Sequence, residues 1–134
     1  MLLEYIRMTQ VALVATKRGN VRVRIDDSGQ IFVQKNVGEP PGGQDWTGDY
    51  AASPTTTLRS ARQEIEKLLG KYRFTAMPPL SVDDAASKGR RETLTHHTLK
   101  GVARTVTVDR ARVPDFEQLV QAILRKANVT DLVG

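Results

Sequence analysis

The sequence predicts an α+β domain, an antiparallel sheet of about five or six strands with two helices packed on one face. Three observations carry that reading. Residues 21–25, Val-Arg-Val-Arg-Ile, alternate strictly between apolar and basic, the period of a half-buried strand. Residues 93–100 and 102–109 read as two strands meeting at Lys100-Gly101, a β-hairpin. Directly after it, Val113-Pro114-Asp115 opens an amphipathic stretch through Phe116, Leu119, Val120, Ile123 and Leu124, whose spacing is helical.

Taken in order, residues 6–16 are rich in Val, Ile, Leu and Thr and predict a long first strand. Lys17-Arg18-Gly19-Asn20 is a turn, because Gly and Asn tolerate positive φ. The alternating strand follows, then a second turn at Asp26-Asp27-Ser28-Gly29 and a third strand over residues 30–37. Loops this short join antiparallel neighbours, so the three strands form a meander. Residues 38–56 hold Pro40, Pro41, Gly42, Gly43, Gly48 and Pro54, which forbid a continuous helix or a central strand. Residues 57–69 predict a helix with Leu58, Ala61, Ile65, Leu68 and Leu69 on one stripe, a threonine hydroxyl at its N-cap and Gly70 at C′. Arg62 and Glu66 are expected to pair on its solvent face. Tyr72-Arg73-Phe74 suggests a short edge strand, and the polar residues 81–90 a second loop. In the closing helix Pro114 suits N1, where a missing amide costs nothing, and Asp115 suits the positive end of the helix dipole. Residues 128–134 read as a tail. Leu58, Ile65, Leu68, Phe116, Leu119, Ile123 and Leu124 are the expected helix side of the core.

A chain of 134 residues has room for one domain spanning residues 1–134. Its 20 Lys+Arg and 15 Asp+Glu give a net charge of +5, spread along the chain without a block that would serve as a basic tail. The absence of cysteine excludes disulfides, thiolate nucleophiles, iron–sulfur clusters and cysteine zinc sites, while leaving the compartment open. The amino terminus lacks a charged lead followed by an apolar run, and no window approaches the roughly 18 apolar residues of a membrane span. The chain as given is therefore read as cytoplasmic, with no membrane partner.

No arrangement of residue types announces catalysis. His96 and His97 are adjacent in a strand, so they face opposite sides and cannot grip one ion. The serines lack a nucleophile-elbow context, and Asp26-Asp27 and Asp83-Asp84 sit in turn-like sequence that favours Asp for its own backbone hydrogen bonds. Residues 38–43 are glycine-rich but lack the ending and following helix of a P-loop. The expectation is a non-enzymatic protein with no catalytic residue, metal or cofactor. Two surfaces remain as binding candidates. Arg22, Arg24 and Lys35 offer a basic sheet face for nucleic acid, although only Phe32 is at hand for stacking, and a plain solvated face explains them as well. Trp46, with Asp45, Asp49 and Tyr50, lies in the long loop. A tryptophan there either anchors a partner or folds back to cap the core.

The element order resembles that of the emfourin-like (protealysin inhibitor) family, bacterial inhibitors of thermolysin-type metalloproteases. The residues that carry the resemblance are a basic first strand ending at Lys17-Arg18-Gly19 and the turn Asp27-Ser28-Gly29 before a strand. They continue with Glu64-Ile65-Glu66-Lys67-Leu68-Leu69 leading into Tyr72-Arg73-Phe74, then a closing hairpin over residues 95–107 and Val113-Pro114 before a helix with Leu119-Val120. Only Gly19 stands where that family opens with paired glycines, and Arg91-Glu92-Thr93 replaces an acidic-aromatic pair, so no inhibitory residue is carried over. The resemblance implies a protein partner, a metalloprotease. A small nucleic-acid-associated or phage-type accessory protein and a subunit of a larger assembly are the alternatives.

Overall fold

The structure is a computed structural model that describes residues 1–11, 21–35, 56–83, 85–86 and 88–129. Its strands are β1 (Leu3–Val11), β2 (Val21–Ile25), β3 (Gln30–Lys35), β4 (Thr56–Thr57), β5 (Leu80–Val82), β6 (Lys88–His97) and β7 (Ala103–Asp109). Its helices are α1 (Ala61–Lys71) and α2 (Pro114–Lys126). All seven strands join one sheet in the order β4-β3-β2-β1-β6-β7-β5.

The α+β class and the two helices stand as expected, but the sheet is larger than five or six strands and is mixed. The extra strands are the two edges, β4 and β5, of two and three residues. The parallel pair is β5 with β7. It arises without a crossover helix because β5 and β6 are consecutive but not adjacent: the chain runs along β5, returns along β6, and β7 then fills the slot between them. The meander of the first three strands does form, with Leu3 opposite Ile25 and Ile25 opposite Ile31.

Alternation decides which side chains the helices cover. Leu3, Tyr5, Val21, Val23, Ile25, Ile31, Leu94, Val106 and Val108 are all buried, and in register they share one face. Ala61, Ile65 and Leu69 of α1 and Phe116, Leu119, Val120 and Ile123 of α2 pack against them. Burial of each large apolar side chain stabilises the fold by about 1.5–3 kcal/mol relative to exposure. Leu58, Leu68 and Leu124, expected in the core, lie at its margin and stay partly exposed.

The helix boundaries follow local chemistry. The second helix begins as expected, with Pro114 after the extended Val113, acids Asp115 and Glu117 in its first turn and Arg125 and Lys126 in its last. The first starts at Ala61 rather than residue 57, because Thr56 and Thr57 are held as strand opposite Ile31 and Gln30. It also runs through Gly70 to Lys71, and Arg73 takes the left-handed conformation at φ 56°. Tyr72-Arg73-Phe74, expected as a short edge strand, is not one: Tyr72 caps α1, and residues 74–76 form a 3-10 turn in which Phe74 is buried. Residues 81–90 are not one loop, since β5 ends and β6 begins within them.

Arg62 does more than pair with Glu66. Its Nη1 donates to Glu66 Oε2 at 3.1 Å and to the His97 carbonyl at 3.0 Å, and its Nη2 donates to Asp27 Oδ1 at 2.8 Å. The hydrogen bond from Arg62 holds the Asp27 carboxyl below the usual carboxylate range. One planar guanidinium thus ties α1 to the β2–β3 turn and to the end of β6. Arg62→Ala is expected to cost about 1–2 kcal/mol, because the loss is of several charge-assisted bonds from a mostly buried side chain. Arg62→Lys should recover little, since an ammonium lacks the fork that meets three acceptors. Urea unfolding of both variants checks this, and full recovery by lysine would contradict the fork argument.

Candidate functional site

Among the described residues two surface concavities flank α2, and the larger of them lies between that helix and the covered face of the sheet. It is a groove of about 470 Å³ lined by residues of β1, β6, α2 and the segment between β7 and α2. Its floor follows from register. Tyr5 lies opposite Leu94, Arg7 opposite Glu92, and Thr9 opposite Arg90, so the apolar face gives way to charge toward one end of β1 and β6. Tyr5 is 2% exposed, and its hydroxyl donates to Glu92 Oε2 at 2.7 Å. Burial pushes the ionisation of Tyr5 far up, and the Glu92 carboxylate adds to that, while Arg7 and Arg90 pull weakly the other way.

The walls are arginines. Gly89 sits at φ +151°, and a Cβ there would come within 3.1 Å of Arg110 Cγ, so glycine lets Arg110 cross the strand closely. Arg110 is fixed by Asp109 Oδ1 at 2.9 Å from its Nε and by a bond from Nη1 to the Ala86 carbonyl at 2.8 Å. Arg112 has 86% of its side chain exposed, with Nε 3.8 Å from Glu117 Oε1. Arg90 is exposed. Ala111, Val120 and Leu124 supply an apolar wall beside these charges.

The second concavity, about 410 Å³, runs between the helices and is lined by Lys67, Lys71, Arg125 and Lys126 with Glu64. Lys126 Nζ reaches Glu64 Oε2 at 3.1 Å, and Lys71 Nζ lies 5.4 Å from the Tyr72 ring centroid. Neither groove was singled out from sequence, which placed the basic surface at Arg22, Arg24 and Lys35.

Arg22 and Arg24 do share the sheet face opposite the helices, but their guanidiniums are engaged with neighbouring strands and turns. Arg22 Nε donates to Gln34 Oε1 at 2.7 Å, and Arg24 lies 3.2 Å from Asp26 Oδ1 and 4.7 Å from the Phe32 ring centroid. Phe32 is only 7% exposed, which removes it as a stacking platform. Lys35 ends β3, and its side chain lies outside the described residues, as do Asp45, Trp46, Asp49 and Tyr50. The segment holding Trp46 does have a described base, however. It leaves β3 after Lys35 and returns into β4 at Thr56, which pairs with Ile31, so both ends are fixed on adjacent strands of one sheet edge.

His96 and His97 fall on opposite faces. His96 Nε2 is 2.9 Å from Glu66 Oε2 on the covered side. Among the described residues no group of three or more His, Asp or Glu could hold a metal ion. No described helix is long and apolar enough to cross a membrane. Comparison of the chain with protein-family models, with curated proteins and with solved structures finds no match.

Proposed function

We propose that the protein is a non-enzymatic binding protein that presents residues 38–56 to a protein partner, and that the partner is a metalloprotease of the thermolysin type, as the family resemblance implies. The observation that supports this reading is the base of the segment. A chain stretch with both ends hydrogen-bonded into neighbouring strands is delivered from a rigid platform, which lowers the ordering cost of docking. Its contents suit a cleft: Trp46 to fill an apolar pocket, and Asp45 and Asp49, whose carboxylates are good zinc ligands. Inhibition on this reading is steric, with the segment occupying the cleft and a carboxylate approaching the catalytic metal.

The test is titration of a panel of thermolysin-type proteases with the full chain. Saturable inhibition is expected, weakened at least tenfold, or about 1.4 kcal/mol, by Trp46→Ala and further by Asp45→Ala with Asp49→Ala. No inhibition across the panel, or inhibition untouched when Asp45, Trp46, Asp49 and Tyr50 are all alanine, would overturn the reading. The second reading is nucleic-acid contact, and the cationic groove between α1 and α2 supports it better than the engaged Arg22 and Arg24 do. Its signature is affinity that falls steeply with salt, because phosphate contacts release counterions.

A further inference from the structure

We infer that the arginine-walled groove between α2 and the covered end of the sheet is a binding site for a small organic anion, one phosphate or carboxylate group carried on an apolar body. Among the described residues four arginines, Arg7, Arg90, Arg110 and Arg112, line one concavity with two glutamates, Glu92 and Glu117. Among those residues basic side chains outnumber acidic ones even when Asp109, bound to Arg110, is counted with them. Guanidinium is the side chain whose planar fork matches an oxyanion through paired bonds, and it is more weakly hydrated than ammonium, so it suits a partly enclosed anion site.

The site is built rather than incidental. Arg110 is locked by two bonds, and glycine at position 89 is what lets it lie against β6. The buried Tyr5 and the partly buried Glu92 form a hydrogen-bonded floor, and the Tyr5 oxygen can also accept from a ligand hydroxyl or amine. Arg90 and Arg112 project from exposed positions at the mouth, where they can close on an entering anion. Ala111, Val120 and Leu124 give the apolar part of the ligand a surface to bury. The volume of about 470 Å³ falls within the usual range for small-molecule sites. By comparison, the groove between the helices has lysines in place of most of these guanidiniums and one of them is already paired with Glu64, which suits diffuse attraction more than a defined ligand. The inference does not depend on the protease reading, because none of the residues it rests on belongs to residues 38–56.

Amide chemical-shift titration of the full chain tests it, with inorganic phosphate, phenyl phosphate and benzoate as probes and sodium chloride at matched ionic strength as control. Saturable shifts are expected at Gly89, Arg90, Arg110 and Ala111 with phenyl phosphate or benzoate, and weaker ones with inorganic phosphate, which lacks the apolar body. Whichever organic probe binds more tightly identifies the anion. The double variant Arg90→Gln with Arg112→Gln, at two exposed side chains, should weaken binding at least tenfold. The inference is overturned if shifts are matched by chloride, if they spread equally over Lys67, Lys71 and Arg125, or if the double variant binds as the parent does. It is also overturned if a thymidine oligonucleotide binds more tightly than any small probe and draws on both grooves, which would make the surface a nucleic-acid track.

Discussion

Gly29→Ala is expected to destabilise the protein by about 3 kcal/mol, one of the largest effects of any single-methyl addition to this fold. Gly29 closes the β2–β3 turn at φ +88°, with its amide bonded to the Asp26 carbonyl at 2.9 Å and Asp26 N bonded to the Gln30 carbonyl at 2.9 Å. That is a turn followed by a left-handed residue, the arrangement that favours glycine in hairpins of this length. The second penalty is packing. A Cβ at position 29 would stand 2.1 Å from the carbonyl oxygen of Leu58, and that atom is backbone, so it cannot swing aside. The Leu58 amide also donates to the Gly29 carbonyl at 2.8 Å, so any shift that relieves the overlap strains this bond as well. Gly29→Asn separates the two causes, because asparagine tolerates left-handed backbone but still carries a Cβ. Equal losses in both variants, measured by urea unfolding, would show that the overlap dominates. A loss below about 1 kcal/mol in both would mean that the contact between the turn and residue 58 is looser than described. The same contact anchors the chain just after β4, so Gly29→Ala should also weaken any binding made by residues 38–56.

The parts of the molecule legible in the sequence are those with strong local signals. Pro114 at N1, an acid behind it and apolar residues at helical spacing set the start and the buried stripe of α2, and strict alternation set β2. The edges were not legible, because Thr56–Thr57 and Leu80–Val82 are too short to show a period and exist only through their partners β3 and β7. The groove failed for a related reason. Arg7 lies two residues from the buried Tyr5, and Glu92 and Arg90 lie two and four from the buried Leu94, so polar side chains at inward positions were there to be read. Assigning residues 81–90 to a loop took Arg90 off any face, and nothing local says that Arg7 stands opposite Glu92. Register is a tertiary property, and here it is what turns three separated charges into one site. The salt-bridged hub at Arg62 was half legible: the spacing to Glu66 gave one bond, while Asp27 and the His97 carbonyl are reached only across the fold.

The alkaline limb of stability should belong largely to Tyr5. A phenol titrates near pH 10 in an unfolded chain, whereas burial and the Glu92 carboxylate hold Tyr5 protonated well above that in the fold. Above pH ~10 the unfolded state therefore binds fewer protons than the native state, and stability falls as pH rises, by about 1.4 kcal/mol per pH unit from this one group. Below that pH both states carry the proton, and the contribution is fully present and flat. Tyr5→Phe removes the titration together with the hydrogen bond to Glu92 Oε2. At neutral pH the variant should be less stable by about 1 kcal/mol, the loss expected for one bond to a charged acceptor that keeps some access to water. Its stability should then decline more gently in base, so that the two curves cross at roughly pH 11 and the variant is the more stable protein beyond it. Tyr72, partly exposed, and Tyr50 are present in both proteins and cancel in the difference. Urea unfolding at intervals between neutral pH and pH ~12 measures both limbs. Parallel curves with no crossing would mean that Tyr5 ionises in the native protein as easily as in the unfolded chain, and that the floor of the groove is open to water. A crossing that moves to higher pH in the presence of a bound organic anion would tie the same tyrosine to the ligand, because an anion held more tightly by the parent than by Tyr5→Phe stabilises the parent more.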